Sequence, residues 1–205
     1  MGESDRAQIE QAARAACERA DWDGAAHIAI QGYGPEVFGF LIAVHRDETA
    51  ASDAFAEFAE GLWRSLPTFA WGCSLRTWAY AVARNVTRMA RRGAARRERR
   101  APRADSAALD DVAHAVRTAT LSFLRTEKRT RLEALKDSLA PEDRELLVLR
   151  VDRALSWNDL ARVLSDEEGA LDDAGIAREA ARLRKRFQLV KDRLRELARK
   201  QGLVG

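Results

Sequence analysis

The sequence predicts an all-α protein built from two small helical domains that a flexible linker joins. Its 205 residues include only four prolines, and they are rich in Ala, Leu, Arg and Glu, which favour helix. Apolar residues recur at intervals of three and four along most of the chain, as on the buried face of a helix. Arginine-rich and small polar residues interrupt this pattern near residue 100, where we expect the linker.

The N-terminal half has a start or stop signal at most of the predicted helix ends. Ser4 or Asp5 can cap the first helix, and Pro35 suits the first position of a helix that follows a turn at residues 32–35. Pro67 ends the fourth helix, and Ser74 can cap the fifth. The predicted helices span residues 5–20, 25–32, 35–45, 47–66 and 75–92.

The C-terminal half follows the same pattern. Pro141 starts a helix with acids in its first turn, and Ser156 with Asp159 resembles a capping box. The predicted helices span residues 107–125, 132–139, 141–150, 156–164 and 176–201. The predicted organisation is an N-terminal extension at 1–32, a domain at 33–100, a linker at 101–126 and a second domain at 127–205.

Positive charge is concentrated in two segments. The formal net charge is only +3, yet nine arginines lie between Arg84 and Arg103 against one acid. Ten Lys or Arg lie between Arg178 and Lys200 against three acids. Two basic segments on an acidic remainder favour two separate contacts with nucleic-acid phosphate.

The sequence argues against several other classes of protein. It has no run of about 18 apolar residues that could cross a membrane, and no signal peptide is evident at its start. Cys17 and Cys73 lack metal-ligand spacing, and His27, His45 and His114 are scattered without a catalytic or metal-binding arrangement. We therefore expect a cytoplasmic, non-enzymatic protein with no cofactor and no metal ion.

The run LRTWAYAVARN at residues 75–85 carries the strongest functional pattern. Arg76, Tyr80 and Arg84 recur every four residues and therefore share one helix face. Aromatic rings beside positive charge bind unstacked single-stranded bases. The alternative is packing, which we expect for Trp63 and Trp78, whereas Trp71 suits either role. The predicted nucleic-acid contacts of this region are Phe69, Trp71, Ser74, Arg76, Tyr80, Arg84, Asn85 and Arg88.

A helix-turn-helix is predicted in the C-terminal half. Residues 156–164 would cross the DNA backbone, and the final helix would enter the major groove. Arg can pair with guanine there, while Lys mostly supplies charge to phosphate. The alternative is a solvated basic face on a surface helix. The predicted contacts near the start of the final helix are Arg182, Arg184, Lys185 and Arg186.

Both regions resemble sigma factors of bacterial RNA polymerase, in the extracytoplasmic-function (ECF) class of the sigma-70 family. Residues 63–85, with LPTF and SLRTWAYAVARN, are similar to region 2. In the C-terminal half, LSWNDLARVL at 155–164, LRKRF at 183–187 and RLREL at 193–197 are similar to domain 4. The resemblance covers residues 33–92 and 127–200 in the family's order.

This resemblance implies a role in transcription initiation. Domain 2 would bind core RNA polymerase, and its loop from Phe69 to Ser74 would hold a flipped base of the promoter −10 element. Arg184 and Arg186 take motif positions in the helix that reads the −35 element. An anti-sigma protein is the regulator that the family implies. The implied polymerase contacts are Asp53, Phe55, Glu57 and Phe58.

Two features depart from the family pattern, and two alternatives stay open. Residues 1–32 precede the usual start of domain 2, and an acidic insertion at 165–173 lengthens the turn of the helix-turn-helix. The chain could instead be a helix-turn-helix regulator that acts without polymerase. It could also be a sigma-like interaction module that binds no DNA, in which case the loss of Arg184 and Arg186 would be tolerated.

Overall fold

The computed structural model of the chain describes residues 2–92, 107–126, 135–166 and 171–200. Within these ranges every regular element is helical, which confirms the all-α prediction. The chain divides into two compact units, residues 1–124 and residues 125–205. Residues 132–134 of the helix predicted at 132–139 lie outside the described residues, as do the insertion residues 167–170.

Helix α2 is central to the first unit and packs against α1, α3 and α4. Asp21 and Asp47 cap α2 and α3 by accepting hydrogen bonds from Gly24 N at 2.9 Å and Ala50 N at 2.6 Å. The helices are α1 (Glu3–Glu18), α2 (Trp22–His45), α3 (Glu48–Ser65), a 3₁₀ turn (Leu66–Thr68), α4 (Leu75–Arg92) and α5 (Ala107–Thr126).

Residues 22–45 form one continuous helix, so the predicted turn at residues 32–35 is wrong. The two glycines serve close packing instead of a turn. A Cβ on Gly32 would lie 2.7 Å from Ile9 Cδ1, and one on Gly34 would lie 3.0 Å from Val116 Cγ1. Pro35 is tolerated within the helix, although it removes one backbone donor.

Helix α5 confirms the helix predicted at 107–125, which lies within the segment predicted to be a linker. Its Leu109 and Ala113 are buried, and Arg117 Nη1 donates a hydrogen bond to the Ser52 carbonyl at 3.5 Å. The domain boundary predicted at residue 33 falls inside α2. The compact first unit therefore includes both α1 and most of α5.

Aromatic rings from three helices form the core of the first unit. Phe38 and Phe55 have their ring centroids 5.1 Å apart, and Phe55 and Phe58 lie 5.4 Å apart. Phe40 meets the edge of Tyr80 at 5.8 Å. All five side chains are fully buried, and each contributes about 1.5–3 kcal/mol to the hydrophobic stabilisation of the unit.

In the second unit, the long final helix packs against two shorter helices. Leu139, Leu147 and Val190 pack together in one hydrophobic cluster. In a second cluster, Ala161 packs against Ile176 and Ala180 at the start of the final helix. Ser156 Oγ accepts a hydrogen bond from Asp159 N at 3.1 Å, which confirms the predicted cap. The elements are α6 (Pro141–Leu147), a π-helical turn (Val148–Asp152), α7 (Trp157–Leu164) and α8 (Asp173–Lys200).

Candidate nucleic-acid interface

A carboxylate from α1 caps the N-terminus of α4. Glu10 Oε2 accepts a hydrogen bond from Leu75 N at 2.8 Å, and Oε1 accepts one from Arg76 N at 3.1 Å. The Tyr33 hydroxyl also donates to Glu10 Oε1, at 2.8 Å. A carboxylate at a helix N-terminus satisfies backbone donors and complements the helix dipole. Helix α1 therefore fixes the start of the helix that carries the LRTWAYAVARN run.

Arg76 and Tyr80 face α2 instead of solvent. Arg76 Nε and Nη2 donate to the two carboxylate oxygens of Glu36 at 2.6 and 2.9 Å. The guanidinium lies 5.3 Å from the Tyr80 ring centroid, and Tyr80 is fully buried. A ring with no exposed surface cannot stack on a base, so the structure corrects the expectation that this face meets nucleic acid. Both residues position α4.

Three aromatic rings pack together at the loop between α3 and α4. The Phe69 ring lies 5.1 Å from Trp78, nearly parallel to it, and 4.8 Å from Trp71. Phe69 is buried, whereas Trp71 is half-buried and carries the Arg14 guanidinium at 5.5 Å from its ring centroid. Trp71 has a φ of 56°, which is uncommon for a bulky residue. The loop thus presents Trp71 in a defined orientation with Phe69 behind it.

The predicted tryptophan packing is only partial. Trp63 and Trp78 are half-buried, and their indole N–H groups donate to Asp23 Oδ1 at 2.6 Å and to Ser65 Oγ at 3.2 Å.

A surface pocket of about 230 Å³ opens beside the loop, with a mostly apolar and aromatic lining. Its lining residues are Arg14, Cys17, Glu18, Trp22, Leu66, Pro67, Phe69 and Trp71.

Polar and cationic side chains extend from the loop along α4. Ser74 is exposed and caps the helix by accepting a hydrogen bond from Thr77 N at 3.1 Å, as predicted. Asn85 is exposed and accepts a hydrogen bond from Arg88 Nη2 at 3.1 Å. Arg84 and Arg88 are half-buried. The arginines between residues 93 and 103 lie outside the described part of the chain.

The four predicted polymerase contacts divide into two groups. Asp53 and Glu57 lie one turn apart on α3 and are exposed. Although Glu57 is exposed overall, partial desolvation of its carboxyl group, together with the charges of Asp53 and Glu60, raises its pKa. Phe55 and Phe58 are fully buried in the core, so the structure assigns them to packing and corrects the expectation that they meet a partner directly.

In the second unit, a tryptophan on α7 has two arginine side chains close to its ring. The Trp157 ring centroid is 4.8 Å from the Arg150 guanidinium and 5.6 Å from that of Arg184. The edge of Phe187 meets the same ring at 5.6 Å. Arg184, a predicted DNA contact, therefore also joins α8 to α7 through a cation–π interaction.

The other three predicted cations of α8 differ in their surroundings. Arg186 donates to Asp143 Oδ1 at 2.7 Å, which ties α8 to α6. Arg182 donates to both carboxylate oxygens of Glu179, at 2.7 and 2.5 Å, and this hydrogen bonding raises the pKa of Arg182. Lys185 is exposed. The structure thus places Arg182 and Lys185 at the surface and Arg186 in a contact between helices.

Residues 29–97 match the family model of sigma-70 region 2. This match supports membership of the sigma-70 family. Region 2 belongs to non-enzymatic factors of transcription initiation and implies binding to core RNA polymerase. No curated protein and no solved structure matches the chain significantly.

The region 2 match covers most of α2, all of α3 and α4, and the aromatic loop. It leaves out Glu10 and Arg14 of α1, which contact the loop and the start of α4 within the same compact unit. Neither residue was predicted from the sequence, because a lone acid and a lone base on an amphipathic helix carry no local signal. None of the described helices is long and apolar enough to cross a membrane.

Proposed function

We propose that the chain is an ECF-class sigma factor that directs core RNA polymerase to specific promoters in the cytoplasm. The match of residues 29–97 to sigma-70 region 2 carries the proposal. In this proposal, residues 33–100 bind polymerase and the −10 element, and residues 127–205 bind the −35 element. The division of the chain into two compact units is consistent with two such contacts.

The −10 element would be held by the loop before α4 and by the exposed part of α4. Trp71 and Ser74 offer an aromatic face and a hydroxyl beside the surface pocket, and Arg84, Asn85 and Arg88 continue the polar surface. Flipping a base costs a few kcal/mol, which stacking and hydrogen bonds in a pocket offset. Phe69, Arg76 and Tyr80 would support this surface from behind.

Polymerase would be bound through the acidic part of α3. Asp53 and Glu57 are exposed on one helix face, and such a pair suits a basic surface on a partner.

Domain 4, residues 127–205, would read the −35 element through α8. An anti-sigma protein that covers these surfaces would regulate the factor.

Gel filtration with bacterial core RNA polymerase tests the proposal most directly. We expect the purified chain to co-elute with core polymerase from a related source at a ratio of one to one. Run-off transcription from a library of genomic fragments would then locate the promoters that the complex opens. Failure to co-elute, together with retained binding to duplex DNA, would favour a helix-turn-helix regulator that acts without polymerase.

The surface of α3 is tested by Asp53→Ala combined with Glu57→Ala. We expect this double variant to bind core polymerase more weakly, with unchanged thermal unfolding. Asp110→Ala combined with Asp111→Ala removes the same charge from exposed positions on α5 and is the matched control. Equal loss of binding in both variants would point to net charge and not to this surface.

A further inference from the structure

Helix α8 has an outward face that is exposed among the described residues of the second unit. Arg178, Arg182, Lys185 and Leu189 follow one another at intervals of four, three and four residues, which aligns them along one side of the helix. All four are exposed, and Leu189 is 70% exposed. Beyond its first turn, the buried residues of the helix, Ile176, Ala180, Leu183 and Val190, lie on a different side.

The flanks of α8 hold the helix in place. On one flank, Arg184 lies over the Trp157 ring at 5.6 Å. On the other flank, Arg186 donates to Asp143 at 2.7 Å and lies 4.0 Å from Glu142. These contacts fix the rotation of α8 about its axis, so the direction of its outward face is determined by the fold.

The helix also begins well before the motif that resembles domain 4. It starts at Asp173, whereas the LRKRF run starts at Leu183, and ten residues correspond to about three turns or 15 Å of helix. Ile176 and Ala180 pack these turns against Ala161 of α7. The final helix therefore begins three residues before its predicted start at residue 176, and residues 173–182 form a rigid helical extension ahead of the LRKRF run.

Charge on this extension indicates what it can bind. Asp172 Oδ1 accepts a hydrogen bond from Gly175 N at 2.7 Å and thereby closes the helix N-terminus. The exposed acids Asp172 and Asp173 disfavour phosphate at this end. Arg178 lies more than one turn further along, on the outward face, with the cations Arg182 and Lys185 following it.

We propose that α8 binds duplex DNA through this outward face and that Arg178, on the extension, contacts a base edge in the major groove. The inference rests on the proposed function of domain 4. Arg is the side chain best suited to a bidentate contact with guanine, and Lys185 can supply charge to phosphate. Leu189 continues the face with an apolar side chain, which can contact a thymine methyl group.

Selection from a random library of 20-base-pair duplexes tests this inference. The library is presented to the full chain bound to core polymerase, with Arg178→Ala and Arg199→Ala compared against wild type. Arg199→Ala removes the same charge from an exposed position about 32 Å further along the helix. We expect wild type and Arg199→Ala to select the same sequence. Arg178→Ala should lose preference at one position, with binding to the wild-type sequence weakened about ten- to a hundredfold.

The possible outcomes separate this inference from the proposed function. If Arg178→Ala, with unchanged thermal unfolding, selects the wild-type sequence with wild-type affinity, Arg178 does not contact DNA and the inference is overturned while the proposed function stands. If wild type in the polymerase complex selects no sequence, both the inference and the proposed −35 role of residues 127–205 are overturned. A uniform loss of affinity in Arg178→Ala, with unchanged base preference, would overturn the base contact and assign Arg178 to phosphate.

Discussion

The Glu10 carboxylate and the Leu75 backbone N–H are joined by a 2.8 Å hydrogen bond across 65 residues of the chain. This contact lets an N-terminal helix outside the region 2 match set the first turn of α4. Arg14, one turn further along α1, lies over Trp71 of the loop. Helix α1 therefore supports both parts of the candidate −10 surface.

We predict that Glu10→Ala lowers the free energy of unfolding by about 2–3 kcal/mol, because it leaves the Leu75, Arg76 and Tyr33 donors without their shared acceptor. Urea unfolding followed by circular dichroism measures the change. Glu18→Ala is the control, since Glu18 is exposed on the same helix, and its effect should stay within about 0.5 kcal/mol. Equal effects of the two variants would contradict a specific role for Glu10.

The Arg76–Glu36 ion pair should be strongly coupled. Its side chains are only 11% and 18% exposed, so loss of one partner leaves a poorly solvated charge. We predict that Arg76→Ala or Glu36→Ala alone costs about 2–4 kcal/mol, and that the double variant costs clearly less than their sum. A double-mutant cycle in urea measures the coupling. The exposed Arg14–Glu18 pair is the control and should show a coupling energy below about 1 kcal/mol. The prediction would be refuted if the effects of Arg76→Ala and Glu36→Ala simply added in the double variant.

Gly32 should resist replacement by alanine, although alanine is usually the better helix former by about 1 kcal/mol. Its added Cβ would meet three Ile9 side-chain atoms at 2.7–3.1 Å, and such overpacking costs about 1–3 kcal/mol. We therefore expect Gly32→Ala to destabilise the wild-type chain in thermal unfolding. In an Ile9→Ala background the same substitution should stabilise. A stabilising effect in both backgrounds would show that α1 can shift to accept the added Cβ with little loss of stability.

The sequence was sufficient to predict the helical class, the Ser74 and Ser156 caps and most helix positions, because these depend on local periodicity and capping chemistry. It misplaced the turn at Gly32 and Gly34. Glycine indicates either a turn or close packing, and only the positions of Ile9 and Val116 in the fold decide between them.

The candidate site was predicted less well than the fold, because exposure is a tertiary property. Helical spacing grouped Arg76, Tyr80 and Arg84 on one helix face. It could not show that Glu36 of α2 pairs with Arg76, so that this part of the face packs against α2. The same holds for buried Arg144, whose Nη2 donates to the Asp137 and Leu139 carbonyls at 2.8 and 3.0 Å. An arginine in a charged run gives no sign that it will be buried.

His45 should make the stability of the first unit depend on pH. Burial, together with the charge of Arg91, lowers the pKa of His45 below its ordinary value of 6.5. The ring Nε2 lies 3.2 Å from the buried Thr87 hydroxyl. The unfolded chain therefore takes up a proton at a higher pH than the folded chain, so this contribution to stability is complete above pH 6.5 and is lost as the pH falls below it.

We predict that the free energy of unfolding falls more steeply with decreasing pH for wild type than for His45→Gln. The measurement is urea unfolding between pH 7.5 and pH 5.0, a range that spans the ordinary histidine pKa of about 6.5. Glutamine keeps a polar group near Thr87 but does not titrate. His114→Gln, at an exposed position on α5, is the matched control for the loss of a histidine. Because Glu57 and other groups titrate equally in all three proteins, only the difference between slopes reports His45. Parallel curves for wild type and His45→Gln would show that the His45 ring takes up its proton at the same pH in both states.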